Sequence, residues 1–105
     1  MEIRIDEAAD GVCRFHPAGE MTIYHAAEMK APLLACIERC REMEINLSEV
    51  IELDTAGFQL LLLAKHEAAR AGKPLRLVAH SPATLEVLDL FNMASYFGDP
   101  VVISG

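Results

Sequence analysis

Residues 46–63, Asn-Leu-Ser-Glu-Val-Ile-Glu-Leu-Asp-Thr-Ala-Gly-Phe-Gln-Leu-Leu-Leu-Leu, decide the fold of this chain. A half-buried strand pattern leads into a polar turn at 54–57, and a strongly apolar helix begins directly after it. The turn places the hydroxyl of Thr55 at the positive end of a helix, next to the carboxylate of Asp54. A hydroxyl without a nearby base is better suited to being modified or contacted than to catalysis.

The composition limits the possible classes of protein. With 105 residues the chain forms one domain, and 52% apolar but only 6% aromatic residues predict an aliphatic core. A net charge of −7 without clustered Lys and Arg argues against nucleic acid and against anionic lipid as partners. No apolar run approaches the roughly 18 residues of a membrane span, so we expect no membrane insertion. Three cysteines and a start without a secretion signal predict a reducing, cytoplasmic location.

Turn and cap signals divide the chain into alternating elements. Asp10-Gly11 predicts a hairpin turn, and Pro17-Ala18-Gly19 predicts the end of the second strand. Pro32 predicts a kink or a delayed start near Lys30 in the first helix, and Gly72 and Ser81 predict a helix C-cap and N-cap. The predicted strands are 2–6, 12–17, 44–50 and 75–79, with helices at 23–43, at 56–71 and from 82, and a last strand or tail at 101–103.

This order predicts a single α/β domain with a mixed sheet of four to five strands and helices mainly on one face. Working surfaces of such sheets lie at the carboxyl ends of strands. We therefore expect three turns to meet at one edge of the sheet, namely Gly19-Glu20-Met21-Thr22, Asp54-Thr55-Ala56-Gly57 and His80-Ser81-Pro82.

Several of these segments resemble the STAS domain family, which includes bacterial anti-sigma factor antagonists and related domains of sulfate transporters and phospholipid-transport complexes. Nearly the whole chain takes part in the resemblance. The matching segments are Gly19-Glu20-Met21-Thr22, 46–50, Asp54-Thr55-Ala56-Gly57, Gly72-Lys73-Pro74-Leu75 and Ser81-Pro82. Many antagonists carry two successive hydroxyl residues after the Asp, whereas this chain has Thr55 and then Ala56. In this the turn looks more like stand-alone chemotaxis-associated STAS proteins, and like the small subunit of the phospholipid-transport ATPase.

The resemblance implies a non-enzymatic phosphoswitch. Thr55 is then the residue phosphorylated by a kinase that is also the binding partner, and a serine/threonine phosphatase reverses the modification. The implied partner is a protein kinase acting as anti-sigma factor, or a chemotaxis-type histidine kinase assembly. The alternative is a small cytoplasmic STAS subunit of a phospholipid-transport ABC complex. The predicted partner-binding residues are Glu20, Thr22, Asp54, Thr55, Ala56, Gly57, Phe58, Gln59, Leu62 and Ser81.

Simpler roles remain open for the same residues. Thr55 is also a good helix N-cap, and Gly57 is also suited to a tight strand-to-helix turn. Four consecutive leucines at 60–63 cover most of a helix circumference, so one or two of them are expected to be exposed unless another element covers them.

Catalysis and metal binding are not predicted. Hydrolysis at Thr55 would need a base, for which His80 is the sole candidate by topology, and no third residue orients it. The four histidines and three cysteines show no zinc-like spacing, and Cys36 and Cys40 are one helical turn apart, as in a helix core. We therefore expect no enzyme, no cofactor and no metal site.

Overall fold

The structure is a computed structural model that describes residues 1–90. The predicted strand or tail at 101–103 lies outside the described residues. The strands are β1 (Glu2–Glu7), β2 (Val12–Met21), β3 (Glu42–Asn46), β4 (Glu49–Leu53) and β5 (Leu75–Val78), and the helices are α1 (Ala26–Arg39), α2 (Thr55–Arg70) and α3 (Pro82–Leu90).

The ten-residue strand β2 organises the sheet because three other strands pair with it. β1 runs antiparallel along one side, while β3 and β4 pair in parallel with the first and last parts of the other side. β5 adds to β3. Buried Cys13 and Phe15 alternate with exposed Arg14 along β2, as expected where helices cover one face. The predicted mixed sheet is confirmed.

The predicted end of the second strand at 17–19 is wrong, since β2 continues to Met21. Pro17 lies where pairing with β3 has ended and pairing with β4 has not begun. Gly19 then adopts a φ of +112°, and the register with β4 shifts between Gly19 and Glu20. The proline and the bulge therefore occupy places in the ladder where a strand tolerates them.

The first helix is shorter than predicted. The carbonyl of Thr22 accepts the N–H groups of His25 and Ala26, so a turn precedes α1 and the helix begins at Ala26. Pro32 lies inside α1 without delaying its start, because its fixed φ suits a helix and its ring removes a single donor. The helix ends at Arg39.

The predicted strand at 44–50 is two strands. The side chain of Asn46 accepts both the N–H and the hydroxyl of Ser48, at 2.9 and 2.7 Å, and this local turn separates β3 from β4. The helix predicted at 56–71 is confirmed within one residue at each end, and Gly72 follows it at a φ of +70°.

All four leucines at 60–63 of α2 are at least half-buried. Leu60 and Leu61 are buried, and Leu62 and Leu63 are half-buried against the core. None of the four is fully exposed, because α1 packs against α2. Within residues 1–90 no helix is both long and apolar enough to cross a membrane.

Candidate functional site

The turn between β4 and α2 is held by Asp54. Its side chain is the N-cap of α2, where Oδ1 accepts the N–H of Gly57 at 3.0 Å. Its other oxygen, Oδ2, accepts the N–H of Ile23 at 2.9 Å. Burial raises the pKa of Asp54, but the N–H donors of Gly57, Ile23 and Ala56 outweigh it and hold the pKa below its ordinary value. Asp54 is therefore an ionised carboxylate at neutral pH that joins two loops.

Because Asp54 supplies the cap, Thr55 does not. Thr55 is the first residue of α2 and is exposed. Within residues 1–90 its hydroxyl makes no hydrogen bond. The N-cap interpretation of Thr55 is thus wrong for this fold, and the side chain is free for contact with another molecule.

Gly57 is required by the path of the chain itself. A Cβ at this position would lie 2.0 Å from the carbonyl oxygen of Met21 and 2.8 Å from Cδ1 of Leu53. The first turn of α2 therefore packs directly on the backbone at the end of β2. This is the tight strand-to-helix turn, and it buries Gly57 away from any partner.

The loop between β2 and α1 adds an apolar surface that sequence reasoning missed. Ile23 is 68% exposed and Tyr24 is 81% exposed. The bond from Ile23 to Asp54 fixes this loop beside Thr55. The sequence predicts both residues inside the first helix, at 23–43, which is wrong because α1 begins at Ala26. The presence of two large apolar residues directly before the start of a helix is the sequence feature that could have identified this exposed surface.

Acidic side chains flank this surface. Glu20 of β2 pairs in register with Glu52 of β4, one step before the two strands reach Met21 and Leu53. Gln59 lies one helical turn after Thr55 on α2 and is exposed. We call the exposed and half-exposed group formed by Glu20, Ile23, Tyr24, Asp54, Thr55 and Gln59 the Thr55 face.

Several predicted contact residues lie beneath this face instead of on it. Phe58 is 6% exposed and belongs to the core, and Leu62 is half-buried against it. Thr22 is 4% exposed, and its hydroxyl has no hydrogen-bond partner within the described part of the chain. Ala56 is partly exposed. Together they support the Thr55 face from below.

The third predicted turn, His80-Ser81-Pro82, follows β5, which ends earlier along the sheet than β2 and β4 do. Through β3, the strand β5 ends at the level of His16 on β2, whereas β4 ends beside Met21, about 17 Å further along the strand. Ser81 is buried and caps α3 by accepting the N–H of Thr84 at 3.2 Å. The break after β3 lets β4 run on beyond the end of β5, and α3 packs against β4. The expected meeting of the three turns stays a prediction.

The structure offers no support for hydrolytic chemistry at Thr55. His80 follows β5, and burial lowers its pKa. Within residues 1–90 no hydrogen bond from Thr55 to a histidine or a carboxylate activates its hydroxyl.

Comparison with known proteins finds one matching family and several solved structures with a similar fold. The family described as "Mlab, STAS domain" matches residues 6–102. An anti-sigma factor antagonist from Mycobacterium paratuberculosis superposes with a TM-score of 0.83 at 20% identity, covering 97% of this chain and 86% of the other. Comparison with curated proteins finds no match.

Two further structures show the anti-sigma factor antagonist SpoIIAA. Its unphosphorylated form superposes with a TM-score of 0.74 at 17% identity, covering 90% of this chain and 84% of the other. The phosphorylated form, described as a cell fate determinant of Bacillus, superposes with a TM-score of 0.70 at 17% identity and covers 90% and 87%. At these identities the likeness is one of fold.

Proposed function

Because the chain belongs to the STAS domain family, we propose that it is a non-enzymatic signalling module that binds a protein partner through the Thr55 face and is released when Thr55 is phosphorylated. The observation that carries the proposal is the exposed hydroxyl of Thr55, which Asp54 leaves free by capping α2. A fold relative, SpoIIAA, occurs in phosphorylated and unphosphorylated forms.

The surface around Thr55 has the chemistry of a docking site. Ile23 and Tyr24 supply apolar area that is costly to leave in water, and tyrosine is enriched at binding hot spots. The ionised Asp54 adds negative charge to this loop, and Glu20 and Glu52 add two more acidic side chains on the strands that lead into it. A partner with an apolar pocket and basic residues at its rim fits this arrangement.

Phosphorylation would act at the surface without unfolding α2. The N–H of Gly57, which could otherwise receive a phosphate, is already occupied by Asp54. The phosphoryl group would therefore point outward and add about −1.5 to −2 charge beside an ionised carboxylate. In contact with a partner, that charge would have to be desolvated next to Ile23 and Tyr24, so the complex would dissociate.

The kinase and phosphatase that we propose as partners follow from this switch. The kinase is of the anti-sigma type or belongs to a chemotaxis-type assembly, and a serine/threonine phosphatase restores the binding form. We place this exchange in the cytoplasm.

The decisive experiment is phosphorylation in vitro followed by binding. The protein is incubated with ATP and each candidate kinase, and intact mass measures the addition of one phosphoryl group. We expect the addition in wild type and its absence in Thr55→Ala. Thr55→Asp and Thr55→Glu should weaken binding to the same kinase, while Thr55→Ala should retain it.

The alternative, a permanent subunit of a phospholipid-transport ABC complex, predicts different results. The complex would then form with the ATPase, survive phosphatase treatment and show no phosphothreonine. Unchanged affinity of Thr55→Asp, Thr55→Glu and Thr55→Ala for the partner would contradict the phosphoswitch.

A further inference from the structure

All three cysteines of the chain meet at the end of the domain away from Thr55. Cys13 lies near the start of β2, and Cys36 and Cys40 lie in the last turn of α1 and directly after it. The sulfurs of Cys13 and Cys36 and a carboxylate oxygen of Glu7 all lie within 4.8 Å of one another. Cys40 lies beside this group, with its sulfur 3.9 Å from the sulfur of Met43.

We propose that Glu7, Cys13 and Cys36 form a binding site for a zinc-type divalent ion. Two thiolates and one carboxylate are a ligand set that Zn²⁺ accepts, with a fourth position left for water. Bonds of about 2.0–2.3 Å in a tetrahedral arrangement require ligand atoms about 3.3–3.8 Å apart. The three atoms therefore need to approach by at most about 1.5 Å, through rotation of the exposed Glu7 side chain and small shifts of the two cysteines.

The negative charges of the three ligands would be cancelled by a divalent ion together with Arg39. Arg39 donates from Nε to the Glu7 carboxylate at 2.7 Å, and its terminal nitrogen lies 3.7 Å from the sulfur of Cys36. Two thiolates and one carboxylate carry three negative charges, and a divalent ion with the guanidinium carries three positive charges. The occupied site is therefore neutral, which removes most of the cost of burying charge.

A small concavity of about 130 Å³ lies beside the three ligands. Its walls include Glu7, Gly11, Cys13, Arg39 and Cys40. Cys13 and Cys36 are fully buried, and among the described residues Cys36 does not line this concavity, so an ion reaches both sulfurs only when the exposed side chain of Glu7 or Arg39 moves aside. Glu7 and Arg39 line this concavity and are exposed, so Glu7 is the ligand that can exchange with solvent.

The competing interpretation is that the thiols are small apolar residues of the core. Burial raises the pKa of Cys13 to about 12, consistent with neutral thiols in the ion-free protein. The pairing of β1 with β2 sets Glu7 opposite Cys13, and the ion pair with Arg39 holds the Glu7 carboxylate near the sulfur of Cys36 as well. These contacts place three potential ligand atoms together before any ion binds. The sequence spacing could not indicate this, because Cys13 and Cys36 become neighbours only in the fold.

The test is titration of the reduced full chain with Co²⁺ in the absence of oxygen. We expect one ion per chain with a thiolate-to-cobalt charge-transfer band, and displacement of Co²⁺ by Zn²⁺. The band should disappear in Cys13→Ser and Cys36→Ser. Cys40→Ser is the matched control, and it should retain the band with affinity changed by less than about threefold.

Glu7→Gln keeps the proposal testable if the buried cysteine variants fail to fold, as judged by circular dichroism. Because Glu7 is exposed, its loss should leave the fold intact but weaken Co²⁺ binding by about tenfold or more. Zn²⁺ should also raise the unfolding temperature of the wild type and not of Cys13→Ser. The proposal is overturned by the absence of a charge-transfer band in wild type, by its survival in a folded Cys13→Ser or Cys36→Ser, or by its loss in Cys40→Ser.

Discussion

The backbone N–H of Ile23 donates to the carboxylate of Asp54 at 2.9 Å, although 31 positions separate the two residues. This bond joins the loop after β2 to the turn before α2. It sets the apolar pair Ile23 and Tyr24 beside the hydroxyl of Thr55. One carboxylate thus caps a helix and assembles the surface on which the proposed function depends.

Replacing Asp54 should destabilise the domain much more than replacing Thr55. Asp54→Ala removes the acceptor of two backbone N–H groups and should lower the free energy of unfolding by about 2 kcal/mol. Thr55→Ala is the control, since its exposed hydroxyl makes no hydrogen bond within residues 1–90, and it should cost less than about 0.5 kcal/mol. Urea denaturation measures both. Equal losses would mean that Thr55 has a capping role.

The contribution of Asp54 should depend on pH in one direction. Its pKa is lower in the folded state than the value of about 3.9 in the unfolded chain, so the ionised form favours folding. The stabilisation is fully present above about pH 4 and is lost as the pH falls through the folded-state pKa. Urea denaturation of wild type and Asp54→Asn across pH 2–6 tests this. The difference in unfolding free energy between them should shrink at low pH, and a constant difference would contradict the prediction.

Adding a methyl group at Gly57 should be severe. The new Cβ of Gly57→Ala would clash with the Met21 carbonyl, which is backbone and cannot rotate away, so we expect a loss of about 2–3 kcal/mol. Gly72→Ala is the matched control, because Gly72 has a φ of +70° and open space around it. Its cost should be about 1 kcal/mol, from backbone strain alone. Thermal unfolding that ranks Gly72→Ala as the more damaging change would refute the close approach.

The apolar part of the Thr55 face should matter for binding and not for folding. Tyr24→Ala and Ile23→Ala remove exposed side chains, so we expect unfolding free energies within about 0.5 kcal/mol of wild type. Their affinity for the kinase identified by phosphorylation should fall by about tenfold or more. Ile5→Ala is the control, since Ile5 lies on β1 at the level of Phe15, far from Thr55. It should leave the affinity unchanged; if Tyr24→Ala and Ile23→Ala also do so, the partner binds elsewhere.

Much of the architecture was predictable because it depends on local signals. The Asp10-Gly11 hairpin, the left-handed Gly72 and the Ser81 cap all follow from the conformational preferences of single residues. The errors arose where tertiary pairing overrode such preferences. Pro17 is tolerated in a strand only because its neighbours on one side change at that point, and this cannot be read from the order of residues.

The residue types of the site were predictable, but which of them are exposed and which are buried was not. The pattern of residues 54–57 identified the strand-to-helix turn and the one hydroxyl in it. It did not distinguish exposed Thr55 and Gln59 from buried Phe58 and Gly57 on the same helix. That distinction depends on which side of α2 meets β2 and α1.

The sequence by itself determined the alternation of strands and helices, the mixed sheet and the place of Thr55 at the start of a helix, because periodicity and turn chemistry act over a few residues. Only the tertiary structure decided which residue caps that helix, which side chains form the surface around it, and that Cys13 meets Cys36 and Glu7. These outcomes depend on contacts between segments that are remote in the chain. Such contacts follow from how strands pair and helices pack, and no local pattern specifies them.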